Sequence, residues 1–211
     1  MAEYELYCFK ESGNAYKAAI MLELTGCDWS ARWVDFFNGE TRSDVYRQNV
    51  NVMGEVPVLN HGDVHLTQTG VILNYLSEQT GQFGGEGAEE NREILRWILF
   101  DNHKLTSFVA TYRFLTNFMK DADPAVTEFL MGRMIGAFKV LNAHLDGRAF
   151  VAANRPTIAD LSLCGYLFWP DEFGTSWGDY PHIGAWLERL SSLPRWVAPY
   201  DLMPGGPDSA R

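Results

Sequence analysis

A glycine-rich stretch at residues 81–87 divides this chain into two regions with different hydrophobic patterns. Short apolar runs alternate with helical spacings before it, whereas only helical spacings follow it. The 211 residues are enough for two small domains. We therefore predict an α/β domain over residues 1–80, a linker over 81–88 and an all-helical domain over 89–203. Residues 204–211 are expected to form a tail without fixed structure.

The first region alternates strand and helix signals in an order that indicates a thioredoxin-like α/β domain. Turn chemistry at Gly62-Asp63 separates two short strands as a hairpin. The predicted strands are residues 4–9, 29–37, 57–60 and 64–67, and the predicted helices are residues 15–25, 41–49 and 69–79. This order, β-α-β-α-β-β-α, predicts a four-stranded sheet with helices on both faces.

The second region shows helical spacing alone. Helices are predicted from about residue 89, from residue 124 and from residue 157, and around residues 183–190. Thr157 and Asp160 form a capping box, which we interpret as a folding element and not as part of a site. The apolar run 161–169 is too short to span a bilayer.

Charge and targeting signals restrict the partners of this chain. Lys and Arg number 17 against 27 Asp and Glu, which gives a formal net charge of -10. Such a field repels phosphate backbones, so we expect no nucleic-acid partner. The first residues lack a signal-peptide pattern, and we expect a cytoplasmic protein without a membrane segment.

The cysteines and histidines do not form a metal-binding pattern. Three cysteines without metal-type spacing fit a reducing compartment, and Cys8 is expected in the core. His61 and His65 flank the predicted hairpin turn and are interpreted as exposed turn residues. We therefore expect no metal site.

Three short segments of the first region should converge in a thioredoxin-like layout. They are residues 12–14 at the start of the first helix, residues 54–57 before a strand, and Gln68-Thr69 at the start of the last helix. The N-terminus of a helix has unpaired N–H groups and the positive end of its dipole, so it favours a carboxylate ligand.

With these segments the chain resembles the cytosolic glutathione transferases over essentially its whole length. The resemblance rests on residues 12–17, 56–59, 66–69 and 154–160. It implies the glutathione transferase fold, which is a thioredoxin-like N-terminal domain followed by an all-α C-terminal domain. It also implies glutathione as co-substrate and a homodimer.

The resemblance assigns roles to residues of the three segments. Gln68 and Thr69 would bind the γ-glutamyl carboxylate of glutathione, although Thr69 could also serve as a helix cap. The Val56 backbone would pair with the cysteinyl part, and Pro57 would follow a cis bond, whereas the sequence alone favours trans. Ser12 matches the serine of Theta- and Zeta-like members and would activate the thiol, unless it is only a helix cap. Asn14 is the alternative donor to the thiol.

Two parts of the predicted site are less defined. The family often has Lys or Gln where this chain has Glu55, which we keep among the predicted glutathione-binding residues. The glycyl carboxylate is assigned instead to Gln48, Arg42 or Arg47. The electrophile pocket is assigned to aromatic side chains that could equally be core residues, namely Phe9, Phe108, Tyr112 and Trp169.

We therefore expect a detoxifying transferase that directs the glutathione thiol at a small hydrophobic electrophile. Glutathione-dependent isomerase, ether-cleaving or peroxidase activities stay open as alternatives. So does a non-catalytic interaction module that keeps the fold.

Overall fold

The structure is a computed structural model that describes residues 2–207. The chain forms two compact units. The first contains the residues up to Gln82 together with those from Leu193 onward, and the second is Phe83–Ser192.

The first unit is built on a four-stranded mixed sheet. Its strands are β1 (Tyr4–Cys8), β2 (Trp29–Trp33), β3 (Val58–His61) and β4 (Val64–Thr67), in the order β2-β1-β3-β4. β1 is parallel to β2, and β3 is antiparallel to both β1 and β4. The helices are α1 (Gly13–Thr25), α2 (Asp44–Asn49) and α3 (Thr69–Thr80). The predicted thioredoxin-like order is confirmed.

Helices cover both faces of this sheet. Tyr7 of β1 packs with Tyr46 of α2 in a buried cluster that also contains Val34 and Val58. Because side chains alternate along a strand, Leu6 and Cys8 face the opposite side, where α1 contacts β1 and α3. Both residues are fully buried.

Local chemistry sets several boundaries of these elements. Gly26 ends α1 with φ 75°, a conformation that glycine adopts without a Cβ clash. β2 ends at Trp33, earlier than predicted, because a turn follows in which Asp35 accepts hydrogen bonds from Asn38.

The second unit is helical. It contains α4 (Ala88–Phe100), α5 (Thr106–Asn117), α6 (Pro124–His144), α7 (Ile158–Cys164) and α8 (Pro181–Ser191), with short 3-10 turns at Pro170–Phe173 and Trp177–Asp179. The single long helix predicted from residue 89 is interrupted by a π-helical turn, Asp101–Leu105. There the buried Asp101 carboxylate accepts hydrogen bonds from Thr106 and Ser162, at 2.7 Å each.

The glycine-rich connection is partly fixed within the second unit. The Arg155 guanidinium donates to the Gly84 carbonyl at 3.0 Å and to Glu90 at 2.8 Å. The Ile158 N–H donates to the Phe83 carbonyl at 2.9 Å. The predicted linker 81–88 is therefore held, from residue 83 onward, by the motif that precedes α7.

The last described residues return to the first unit, unlike the predicted helical domain 89–203 and unstructured tail from 204. A short helix, α9 (Pro199–Leu202), contacts α1, and the Tyr16 hydroxyl donates to the Val197 carbonyl at 2.8 Å. Pro204 is buried, and its carbonyl accepts a hydrogen bond from the Lys10 N–H at 3.1 Å. Leu202 and Met203 are buried, so this segment packs as part of the first unit. The rest of the predicted tail, residues 208–211, lies outside the described residues.

Candidate functional site

Ser12 lies at the N-terminus of α1 and is the cap of that helix. Its Oγ accepts a hydrogen bond from the Ala15 N–H at 3.1 Å, and the residue is only 5% exposed. This bond uses an oxygen lone pair, so the hydroxyl proton is left to donate. The cap and a donor to a ligand are therefore compatible roles for one side chain.

Asn14 connects the first and third predicted segments. Its carbonyl accepts a hydrogen bond from the Thr69 Oγ1 at 3.4 Å, so the N-termini of α1 and α3 lie side by side. The Asn14 side-chain amide has no hydrogen-bond partner among residues 2–207. Thr69 uses its hydroxyl for this contact and does not cap α3.

The first turn of α3 has unsatisfied donors. The backbone N–H groups of Thr69 and Gly70 find no acceptor within the described part of the chain. Gln68, which precedes them, has φ 68° and ψ 116°, a strained combination for a residue other than glycine. Such strain is often found at ligand-binding sites. The start of α3 can therefore receive an anion.

The loop 50–57 is joined to the same site. The Gln68 amide donates to Glu55 Oε2 at 2.9 Å and to the Met53 sulfur at 3.1 Å. No local sequence pattern indicates this Glu55–Gln68 bond, because residues 13 positions apart are brought together only by the fold. The three segments thus converge as predicted.

A cis peptide bond joins Val56 and Pro57, as the family resemblance implied. The Glu55 carbonyl accepts hydrogen bonds from the Tyr46 hydroxyl and the Asn51 amide, both at 3.0 Å. The backbone N–H and C=O of Val56 have no partner among residues 2–207, so this residue can pair with an extended ligand. Nothing in the sequence indicated these roles of Tyr46 and Asn51, because an aromatic residue and an amide near a loop carry no distinctive signal.

The residues considered for the glycyl carboxylate differ in their surroundings. Gln48 is exposed on α2 and contacts none of the other predicted site residues through a hydrogen bond. Arg47 donates to the Val52 carbonyl at 3.3 Å, and its guanidinium lies against Gly54. Arg42 is exposed and has no ion-pair partner among the described residues. Of these three, Arg47 alone is anchored to the loop that carries Glu55.

The predicted pocket residues lie in both units. In the first unit Phe9 is 7% exposed and stacks on Phe36, with ring centroids 4.7 Å apart. In the second unit Phe108 is half-buried, whereas Tyr112 and Trp169 are buried.

Trp169 packs against an ion pair of the second unit in which the arginine is buried and the glutamate is half-buried. The Arg113 guanidinium lies 3.9 Å from the Trp169 ring centroid and binds Glu172 at 2.6 Å. Arg113 is 2% exposed, and no sequence pattern indicated this burial. Burial of a charge in this way requires a partner, which Glu172 supplies.

Cys8 of β1 does not contribute a reactive thiol to this region. Burial raises the pKa of the Cys8 thiol to about 12, so the thiol stays protonated at neutral pH.

Within residues 2–207 no group of three or more His, Cys, Asp or Glu side chains is arranged to hold a metal ion. In the same range no helix is long and apolar enough to cross a membrane.

Comparison with known families decides the identity of the two units. Residues 2–78 match the family described as glutathione S-transferase, N-terminal domain, and residues 105–194 match glutathione S-transferase, C-terminal domain. This chain belongs to the glutathione S-transferase family. As a family member it has the thioredoxin-like and helical domains that the resemblance implied.

Individual relatives agree with this glutathione S-transferase assignment. A possible glutathione S-transferase from Rhodopseudomonas palustris is 29% identical with a TM-score of 0.88, over 97% of this chain and 93% of that one. A glutathione S-transferase-like protein, OpS6 of Beauveria bassiana, is 26% identical over 90% of this chain and 91% of its own length. A glutathione transferase homolog from Lodderomyces elongisporus, solved with two glutathione molecules per subunit, shares the fold at 22% identity with a TM-score of 0.85, over 92% of this chain and 96% of that one.

Proposed function

We propose that this glutathione S-transferase family member binds glutathione in its first unit and activates the thiol for attack on a small hydrophobic electrophile. One observation carries the proposal: the N-termini of α1 and α3 meet at the Asn14–Thr69 hydrogen bond. The junction combines the unsatisfied N–H groups of α3 with the Ser12 hydroxyl, so an anionic end and a thiol of one ligand have separate partners there.

The γ-glutamyl carboxylate is assigned to the start of α3. The Thr69 and Gly70 N–H groups and the positive end of the helix dipole favour a negative charge at this position. The Gln68 amide lies beside them and can add a charge-assisted hydrogen bond when it turns from Glu55 to the ligand.

The cysteinyl part of glutathione is assigned to the Val56 backbone. An extended peptide that pairs with this N–H and C=O runs beside the cis Val56–Pro57 bond. The glycyl carboxylate would then extend towards the cations of the α2 region, where Arg47 and Arg42 are the candidates.

Thiol activation is assigned to Ser12. A free cysteine thiol titrates near pH 8.5, so only a few per cent of it is ionised at neutral pH. Lowering its pKa by about two units requires roughly 2.7 kcal/mol of preference for the thiolate. A hydroxyl hydrogen bond to a charged acceptor contributes about 1.5–3 kcal/mol, and a helix N-terminus adds about 0.3–1 kcal/mol. The Ser12 hydroxyl and the start of α1 together are therefore sufficient.

The proposal also includes the oligomeric state and the cellular location of the protein. The family resemblance supports a homodimer and a role in detoxification. Cys8, Cys27 and Cys164 are all free thiols, which fits the reducing cytoplasm.

The experiment that tests the proposal is a rate–pH profile with glutathione and a halogenated aromatic electrophile. Replacing Ser12 by Ala should raise the apparent thiol pKa in that profile by at least about one unit, because the donor to the thiolate is lost. Calorimetry should show glutathione affinity little changed. Asn14→Ala is the matched variant from the same helix turn: a profile that moves for Asn14→Ala and not for Ser12→Ala would transfer the role to Asn14. If the parent protein binds glutathione no better than millimolar, the proposed function is wrong.

A further inference from the structure

A row of polar side chains crosses all four strands on the face of the sheet that α2 covers. Asn60 of β3 lies directly opposite Glu5 of β1 on one side and His65 of β4 on the other. The Asn60 Nδ2 donates to Glu5 Oε2 at 3.0 Å, and Asn60 Oδ1 lies 2.7 Å from His65 Nδ1. Arg32 of β2 completes the row, with its Nη1 3.9 Å from Glu5 Oε1.

The second nitrogen of His65 reaches out of the sheet. Its Nε2 lies 2.7 Å from the backbone carbonyl oxygen of Val50. Val50 is the C-cap of α2 and the first residue of the loop 50–57, which leads to the Val56–Pro57 bond. His65 therefore joins the sheet to the loop. It is exposed, as predicted from the sequence, but it lies in β4 and not in the turn.

Both contacts of His65 are with oxygen atoms that only accept hydrogen bonds. The Val50 carbonyl has no proton to give, and the amide of Asn60 is oriented by its bond to the Glu5 carboxylate, so its oxygen faces His65. A neutral imidazole has one N–H and can satisfy one of the two oxygens, whereas an imidazolium has two N–H groups and satisfies both.

Two features near His65 carry negative charge. The Glu5 carboxylate lies beyond Asn60, and the C-terminal end of α2, which carries partial negative charge, lies at Val50. Arg32, at the far end of the row, carries the opposite charge and is paired with Glu5. Among residues 2–207 no other charged side chain contacts His65, the neighbouring Asp63 included.

The Val50 carbonyl that His65 contacts is adjacent to Asn51, whose side chain stabilises loop 50–57. Asn51 is 5% exposed; its Oδ1 accepts from the Met53 N–H at 3.0 Å, and its Nδ2 donates to the Glu55 carbonyl at 3.0 Å. A shift of Val50 would therefore displace Asn51, and with it the backbone that precedes Val56.

We propose that protonated His65 is a positioning residue that holds loop 50–57 in the conformation that receives glutathione. Loss of its proton leaves one ring nitrogen facing an oxygen lone pair, so the loop is released and binding weakens as the pH rises through the histidine range. The inference rests on the proposed function, because the Val56 backbone has a ligand only if glutathione binds there.

The test is calorimetric binding of S-methylglutathione to the full chain between pH 5.5 and pH 8, a range that follows from the titration of histidine. This probe has no thiol to ionise, so thiolate formation does not contribute to the pH dependence. The parent affinity should fall on the order of tenfold across the range, as expected for one charged hydrogen bond. His65→Ala should bind weakly throughout with no such transition, and His65→Arg, which keeps two donors and a charge, should bind tightly throughout. His61→Ala is the matched control from the same hairpin and should keep the pH dependence.

Two failures are distinguishable in this experiment. If S-methylglutathione binds the parent but His65→Ala binds equally well at pH 5.5, or if the parent affinity does not change with pH, the positioning role of His65 is refuted alone. If the parent binds no S-methylglutathione at any pH, the proposed function fails and this inference fails with it. Nitrogen NMR of the His65 ring provides an independent check, since both nitrogens should carry protons at pH 5.5.

Discussion

At the scale of single residues, Glu55 stands where the resemblance to the family implies Lys or Gln. Its carboxylate accepts a hydrogen bond from the Gln68 amide at 2.9 Å. Gln68 is also the side chain assigned to the γ-glutamyl carboxylate of glutathione. A negative charge therefore lies within one hydrogen bond of the position where the ligand brings another, and the two carboxylates compete for one donor.

Glu55→Gln should consequently tighten glutathione binding. Removing one like charge near a surface site is worth about 1 kcal/mol at short range, or roughly fivefold in the dissociation constant. Calorimetry at pH 7 in low salt measures the effect, which added salt should reduce. Asp63→Asn in the hairpin turn is the control, since it makes the same change in net charge at an exposed residue outside the site. Weaker binding by Glu55→Gln would instead mean that the carboxylate orients Gln68 for the ligand.

At the scale of elements, the capping residue Asp160 at the start of α7 also forms hydrogen bonds with two other segments. Thr157 and Asp160 form the predicted capping box. Asp160 is fully buried and also accepts hydrogen bonds from the Val151 N–H and the Trp186 indole N–H, each at 2.9 Å. Burial raises the pKa of this carboxyl, while the surrounding donors stabilise its ionised form. The residue thus joins α7, α8 and the preceding loop.

Asp160→Ala should therefore cost more than the 0.5–2 kcal/mol of a simple cap. Each buried donor left without a partner costs about 1–3 kcal/mol, so we expect a loss of about 3 kcal/mol or more in the free energy of unfolding. Urea denaturation followed by circular dichroism measures it. Asp123→Ala is the matched control, because Asp123 caps α6 through a single exposed bond to the Ala125 N–H. Equal losses in the two variants would show that the additional contacts of Asp160 contribute nothing, and a loss of turnover without a change in stability would place Asp160 in the site.

At the scale of the whole molecule, the chain enters the helical unit after Gln82 and leaves it after Ser192. The returning segment belongs to the first unit, where Leu202 and Met203 are 1% and 4% exposed. Arg195 adds hydrogen bonds to the Glu23 carbonyl and carboxylate. The first unit is therefore built from both ends of the sequence.

A chain that ends at Ser192 should have a destabilised first unit. Full burial of Leu202 and Met203 contributes about 1.5–3 kcal/mol each, and this contribution is lost with the segment. Hydrogen exchange of the β1 and β3 amides should accelerate by at least about a hundredfold. In the full-length chain, Leu202→Ala should show a smaller acceleration and Asp201→Ala, at an exposed neighbour, almost none. Unchanged protection of β1 in the shortened chain would contradict this account of the first unit.

The sequence by itself determined the features whose free energy comes from nearby residues. Ser12 and Thr157 begin helices through caps that are satisfied within three positions, and Gly62 turns the hairpin with φ 57°. The change from alternating to purely helical spacing predicted a boundary after residue 80, because hydrophobic periodicity reflects which face of an element is buried. The structure divides the two units after Gln82. The convergence of residues 12–14, 54–57 and 68–69 was predicted from this order of elements together with the family resemblance.

Only the tertiary structure decided the features that join distant residues. The π-helical turn at Asp101 depends on Ser162, and the Glu55–Gln68 and His65–Val50 bonds each cross between separate elements. The return of residues 193–207 to the first unit depends on a surface that α1 offers at the other end of the chain. Such contacts gain their free energy only when the fold has closed the intervening loop, so no local pattern in the sequence records them.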